Sequence, residues 1–452
     1  MTPNLKHSAG ALAARALALT LAVAALPAVA QDVPTQAELA RKLEQLSSEL
    51  ASVKAELAQM KSQQAAQPAA VVGTGWNGGQ APAGTAPAAT TSVASAAPVA
   101  APQGPTTVIG GYGEINYNRP LKQTQNSQLD MRRFVIGIQH RIDDRTKIVS
   151  ELEVEHAVSS ASDPGEVEVE QAYIERQLSP TLAARGGLFL MPVGLLNENH
   201  EPTAYYGVER NFVETAIIPT TWREAGAQLV ATLDNGLTLQ GGLVTSFDIT
   251  KWDATSTEGR DSPLGSIHQE GALAKARNVA VFGAANWRGV PGLLVGASVF
   301  SGGASQGQAD YARARINLAD VHARWTPGKW DLSALYARGG ISNTAALNLP
   351  MVGSATLIPK SFSGGYVQAA YKLWSSGDYQ LSPFVRYERF NTASAYAYLG
   401  PGITPDPDKT EGVATIGANL WITPTIVLKA DYQRFKVNTL ANRFNLGLGW
   451  SF

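Results

Sequence analysis

Few residues in this chain of 452 have the types and spacing that catalysis needs. There is no cysteine, which removes disulfide scaffolds, thiol nucleophiles and cysteine-built zinc sites together. The six histidines, His7, His140, His156, His200, His268 and His322, are scattered, and His200-Glu201-Pro202 lacks the second histidine of a zinc-protease motif. No P-loop occurs, nor a glycine-rich turn set between a strand and a helix for a dinucleotide. A Ser, His and Asp assembled across distant strands, as in a lipase or protease borne on a barrel, would be invisible in sequence. Calcium on an acidic surface is conceivable, but no loop has the ligand spacing for it. The reading is no enzyme, no cofactor and no metal.

The charged residues that do form patterns belong to a wall. In KIVSELEVEHAV (147–158), Glu151, Glu153 and Glu155 share one face, opposite Ile148, Leu152 and Val154. In EVEVEQAYIER (166–176), Glu166, Glu168 and Glu170 share a face, opposite Val167 and Val169. Carboxylates in that pattern belong on a strand with one wet face and one apolar face. Candidate basic partners on the wet side are Arg133, Arg141, Lys147, Arg313, Arg315, Lys372, Arg386 and Lys429. Acids facing bases across an aqueous passage would give a transverse field and little net selectivity; a merely solvated wall is the plainer alternative.

A third constellation is the run 192–224, PVGLLNENHEPTAYYGVERNFVETAIIPTTWRE. Its Pro, Tyr, Trp and paired charges suggest a segment packed against something. Folded into a wide barrel, it would narrow the passage, with Glu198, His200, Glu201, Glu209, Arg210, Glu214, Arg223 and Glu224 as constriction candidates. Arg210 and Arg223 would attract anions there; Glu209, Glu214 and Glu224 would oppose them. An exterior loop packed on its neighbours is the competing arrangement.

Period-two alternation is the element-level signal that positions all three. RFNLGLGWSF sets Phe444, Leu446, Leu448, Trp450 and Phe452 on one face, and TIVLKADYQRF opposes Ile426, Leu428, Ala430 and Tyr432 to Val427, Lys429, Asp431 and Gln433. From Thr106 onward such runs suggest sixteen strands, with short turns such as Asp143-Asp144 and Asp234-Asn235-Gly236 alternating with long loops. Trp and Tyr near strand ends (Tyr112, Tyr117, Trp287, Trp325, Trp330, Trp374, Tyr379 and Trp421) fit the aromatic girdles of a membrane barrel. The fold class is all-β: a 16-stranded antiparallel transmembrane barrel over 106–452, preceded by a short helical coiled coil.

Composition agrees. The chain is 44% hydrophobic and 16% charged with net charge −1, too apolar for disorder and without the basic excess of a nucleic-acid binder. Residues 1–30 read as a signal peptide: a basic start, the short apolar run ALALTLAVAALPAVA and the small-x-small ending Ala28-Val29-Ala30. Residues 31–65 carry an a/d heptad seam, Leu39, Leu43, Leu46, Leu50, Val53, Leu57 and Met60, opened by a Thr35/Glu38 capping box. Residues 66–105, rich in Ala, Pro and Gly and without charge, read as a flexible linker.

The leader, the heptads, the terminal Phe452 and the stretch GLFLMPVGLLNENHEP…YYGVERNFVETAIIPTTWREAG together resemble the phosphate-selective porin family. That resemblance implies a homotrimer of sixteen-stranded barrels, the third extracellular loop folded into each pore, and passive passage of anions past basic lumen residues. The acidic strands at 151–155 and 166–170 depart from an anion-selecting pattern. The expected function is an outer-membrane porin for small hydrophilic solutes or inorganic ions, phosphate or other anions among them. Its partners would be outer-membrane lipid, its own copies and, through a periplasmic coiled coil, the cell wall. The alternative is an outer-membrane anchor or adhesin whose coiled coil is the working part.

Overall fold

The computed structural model describes residues 105–160 and 162–452; the leader, the heptad segment and all but the last residue of the linker lie outside them. Sixteen antiparallel strands follow in chain order. They are β1 Thr106–Pro120, β2 Gln128–Asp143, β3 Thr146–Glu155, β4 Val167–Ser179, β5 Leu182–Leu190, β6 Arg223–Thr232, β7 Leu237–Thr245 and β8 Val279–Trp287. β9 Leu293–Gly303, β10 Arg315–Trp325, β11 Trp330–Ile341 and β12 Ser361–Tyr371 come next, the last resuming at Trp374–Ser376. β13 Tyr379–Ala395, β14 Glu411–Thr423, β15 Ile426–Phe435 and β16 Arg443–Ser451 complete the set. Both pieces of β12 pair with β13, so they form one strand interrupted at Lys372 and Leu373.

Each strand pairs with its chain neighbours, and β1 pairs with β16 from Tyr112↔Ser451 to Pro120↔Arg443. The sheet therefore closes and leaves no edge. Phe452 finishes the seam: its N–H donates to the Gly111 carbonyl (2.9 Å), Gly111 N–H donates back (3.1 Å), and its ring stacks on Phe134.

Connections of two to five residues lie at one rim and connections of seven to 33 residues at the other. The short ones use turn chemistry. In the β6–β7 turn, Asn235 Oδ1 accepts Leu237 N–H, and Gly236 takes φ +82°, where a Cβ would meet the Gly289 nitrogen at 2.7 Å.

Alternation decides what each solvent sees. On β13, Val385 and Tyr387 are 53% and 48% exposed on the outside, while Arg386 and Glu388 between them are buried inside. On β3, Ile148 and Leu152 point out and Glu151 and Glu153 point in. An apolar exterior over a closed sheet is what hydrocarbon requires. Trp287, Trp325, Trp330, Trp374 and Tyr379 are exposed on the outer face toward the short-turn rim, as a girdle there would be. Tyr112 and Trp421 do not join it. Both turn inward, Tyr112 onto His200 and Trp421 against the Tyr206 ring.

The interior is not uniformly wet. Val149, Tyr173, Phe282, Phe300, Ile316 and Leu318 face inward and pack with Val193, Val213, Ile217, Ile218 and Trp222 from the connection 191–222. Phe247, Ile249, Leu264 and Ile267 from 246–278, and Leu347 and Ile358 from 342–360, join the same cluster. With Ala304 and Ala314 of 304–314, four long connections thus share one apolar core.

Candidate functional site

The 32-residue connection 191–222 is bound to inward-facing side chains on several strands around the barrel. Beyond the apolar cluster, its backbone carries the polar anchors. Val208 N–H donates to Asp431 on β15 (2.7 Å), Gly207 N–H to Asn419 on β14 (3.2 Å), and Phe212 N–H to Glu388 on β13 (2.6 Å). Asn419 returns a bond to the Tyr205 carbonyl, and Arg386 donates to the Tyr206 carbonyl at 3.1 Å. On β1, Glu114 accepts from the Tyr205 hydroxyl and Asn118 donates to Glu209, each at 2.8 Å. On the facing side, Gly194 N–H reaches Asp320 of β10. A segment with that many wall partners crosses the barrel interior.

Glu214 holds the loop to itself. Its Oε1 accepts Leu195 and Leu196 N–H (2.6 and 2.7 Å), and its Oε2 accepts from Asn211 and from the Tyr366 hydroxyl of β12. Burial raises this carboxyl above the ordinary range, while the bonds it accepts pull it back.

Charges around the passage are mostly neutralised in pairs. Arg133 donates to Glu114 (2.8 Å) and to the His200 carbonyl (3.0 Å). Arg185 bonds Glu175 at 2.6 Å, with Lys147 at 3.0 Å from the same carboxylate. Arg324 pairs with Asp331, and Arg386 with Glu388. A register shift between Glu151 and Leu152 lets β4 turn both Glu170 and Gln171 inward; Gln171 donates to Glu151 (2.6 Å), and Glu170 faces Tyr112 and His200. Lys429 differs: its ammonium is buried, has no hydrogen-bond partner, and lies 3.5 Å above the Tyr205 ring.

The residues singled out in the sequence divide accordingly. Glu198, His200, Glu201, Glu209, Arg210 and Glu214 are on the connection itself. Glu198, Glu201, Glu209 and Arg210 keep partial exposure, whereas His200 and Glu214 are buried. Glu198 takes Gln240 at 3.1 Å; Glu201 keeps one carboxylate oxygen buried and unpartnered. Among the described residues, Arg210 bonds only the nearby hydroxyls of Thr220 and Thr221. Arg223 and Glu224 belong to β6 rather than the loop. Arg223 is enclosed by Glu168 and Glu270, and Glu224 accepts from Trp222 and Thr245.

Among the pore-lining candidates, Arg133, Glu151, Glu153, Glu168, Glu170, Arg386 and Lys429 face inward, with Glu155 in phase with Glu151 and Glu153 at the end of β3. Arg141 stands at the short-turn rim beside Thr106, and Glu166 precedes β4. Arg315 does not line the interior. It is exposed on the outer face because Ile316 and Leu318 take the inward phase of β10 to meet the apolar core. Arg313 lies in an exposed connection, and Lys372 sits in the break of β12 at the short-turn rim.

Sequence reasoning missed Tyr205, Asn211, Asp320, Arg324, Asp331, Glu388 and Asn419. Isolated polar residues at inward phase on β10, β11, β13 and β14 were the available signal. A G-x-S-x-G spacing also exists, at Gly303-Ala304-Ser305-Gln306-Gly307. Ser305 Oγ there donates to the Ala312 carbonyl and accepts Ala314 N–H, so it closes a loop and forms no nucleophile elbow.

The architecture can be set beside known proteins. Salmonella typhi OmpF, solved in complex with daunomycin, superposes with a TM-score of 0.53 at 15% identity, over 76% of this chain and 97% of that one. The fold is that of an outer-membrane porin. The anion-selective porin from Comamonas acidovorans aligns at a TM-score of 0.49 and 11% identity, over 77% and 100% of the two chains. In sequence, an uncharacterised protein of Aquifex aeolicus (strain VF5) is 29% identical over 356 residues, 76% of this chain and 79% of its own length. No family model matches. The closed barrel, with its apolar outer face, fits a hydrocarbon surround.

Proposed function

We propose that this protein is a passive diffusion channel of the outer membrane for small hydrophilic solutes or ions, with residues 191–222 as its constriction. The reading rests on one observation above all: the loop's amides at Val208 and Phe212 end on Asp431 and Glu388, inward carboxylates of distant strands. No covalent step is involved. Passage follows width and charge, and the groups bearing on it are Glu198, Glu201 and Glu209 from the loop against Lys147 and Arg185 from the wall. Because most lumen arginines already hold a carboxylate, net selectivity is weak.

Phosphate or another anion as favoured solute is the second reading. Lys429 supports it, as a cation without a hydrogen-bond partner where the loop meets β15. Recording single channels across a potassium chloride gradient, with and without added phosphate, separates the two. A reversal potential near zero and phosphate-insensitive current fit the first; anion preference with phosphate block, both lost in Lys429→Gln, fits the second.

The assembly we propose is a homotrimer, with 1–30 removed as a signal peptide, 31–65 forming a periplasmic coiled coil, and 66–105 a flexible tether. The unbroken heptads of 39–60 support self-association.

A further inference from the structure

Near the long-loop rim, the outer face of β10–β15 carries charge where a lipid-facing surface should not, and among the described residues all of it is positive. Arg338 on β11, Arg389 on β13, and Arg434 with Lys436 at the end of β15 are exposed on the outer face near the long-loop rim, as Arg315 is on β10. Among the described residues, no Asp or Glu stands in the outward phase of β11, β12, β13 or β15. Among the described residues, Arg338, Arg389 and Arg434 have no ion-pair partner.

Three of these cations converge. Arg389 pairs across the sheet with Gly412, whose carbonyl accepts Lys436 N–H at 2.9 Å, so the two flank a position without a side chain. One rung lower, Tyr387 and Arg434 flank Ala414 in the same way. The nearby carboxylate, Glu411, is committed to backbone amides of Gly412, Lys436, Val437 and Asn438. Below the cations the small residues of β14 leave a groove of about 500 Å³, walled by Val367, Val385, Ile416 and the rings of Tyr387 and Tyr432, with Arg434 at its head. Val367 and Ile416 are each 60% exposed along it.

We propose that this face binds a phosphate-bearing lipid of the leaflet on the long-loop side, its headgroup on Arg389, Arg434 and Lys436 and one acyl chain in the groove. Charge complementarity selects the occupant. Unpaired guanidinium groups beside hydrocarbon need an anion, phosphate matches the guanidinium fork, and the apolar trough continuous with them matches a chain. A soluble anion would leave the trough unused; a neutral lipid would leave the cations unpaired.

The test titrates the full-length protein, in neutral detergent, with diphosphoryl lipid A and counts retained lipid by native mass spectrometry. Arg389→Gln, Arg434→Gln and Lys436→Gln combined should weaken retention at least about tenfold, the direction expected when charge-assisted bonds are lost. Ala414→Trp, which fills the groove and keeps the cations, should weaken it comparably. Wild-type retention should itself fall about tenfold or more between low and high salt, since the headgroup contact is exposed to screening; that readout needs no variant to fold. Inorganic phosphate at equal concentration should not displace the lipid. Undiminished retention by the folded triple variant, retention indifferent to salt, or displacement by equimolar phosphate would each overturn the proposal.

Discussion

Leu152 and Glu153 are neighbours in sequence and face different solvents. Leu152 is 46% exposed on the outer wall, and Glu153 is buried within. Leu152→Arg should cost about 2–4 kcal/mol if the site is near mid-membrane, read as a lower yield of heat-modifiable barrel; Glu153→Gln should assemble normally. Equal tolerance of both would remove the membrane from the argument. Glu201 offers a pH test. Burial, reinforced by Glu151 and opposed by Arg133, pushes its carboxyl up to about 8. It is neutral below that value and ionised above, so cation permeability should rise as pH is taken from 7 to 9. Glu201→Gln should flatten the rise in reversal-potential measurements. At this scale the sequence was readable wherever period two was unbroken, as for Glu151 and Lys429. It misled at Arg315, where apolar loops claim the inward phase, and it gave no sign of the bulge that turns Gln171 inward beside Glu170.

The strands were legible as elements because each carries its own alternation, and the sixteen expected from Thr106 onward match the sixteen observed. The course of 191–222 was not. Its determining bonds join residues far apart in the chain, such as Phe212 to Glu388 and Val208 to Asp431, and no local pattern announces them. Those bonds make their own prediction. Glu388→Ala with Asp431→Ala leaves loop amides without acceptors, at about 1–3 kcal/mol for each buried group. The barrel should persist while single-channel traces show larger and noisier open levels; quiet, wild-type currents would mean the anchors do not hold the constriction. The heptad segment is a separate element. A peptide of residues 32–64 should associate as a helix, checked by circular dichroism and sedimentation, and its deletion should spare conductance. A peptide that stays monomeric and unfolded would remove its role in assembly.

For the whole molecule, closure and filling are distinct problems with distinct solutions. Closure is achieved by the β1–β16 seam, to which Phe452 contributes two backbone hydrogen bonds and a ring stack. Filling is achieved by four long connections that share an apolar core, and we propose that solutes pass between that plug and the polar wall. The central claim is that 191–222 bounds that passage. Leu190 and Arg223 are paired across β5 and β6, so a short Gly/Ser turn can replace residues 195–219 without parting the strands. Single-channel conductance of that variant, against wild type in the same lipid, is the most direct measurement. If 191–222 is the constriction, the barrel assembles and its conductance is at least about twice that of wild type; an assembled barrel of unchanged conductance places the constriction elsewhere.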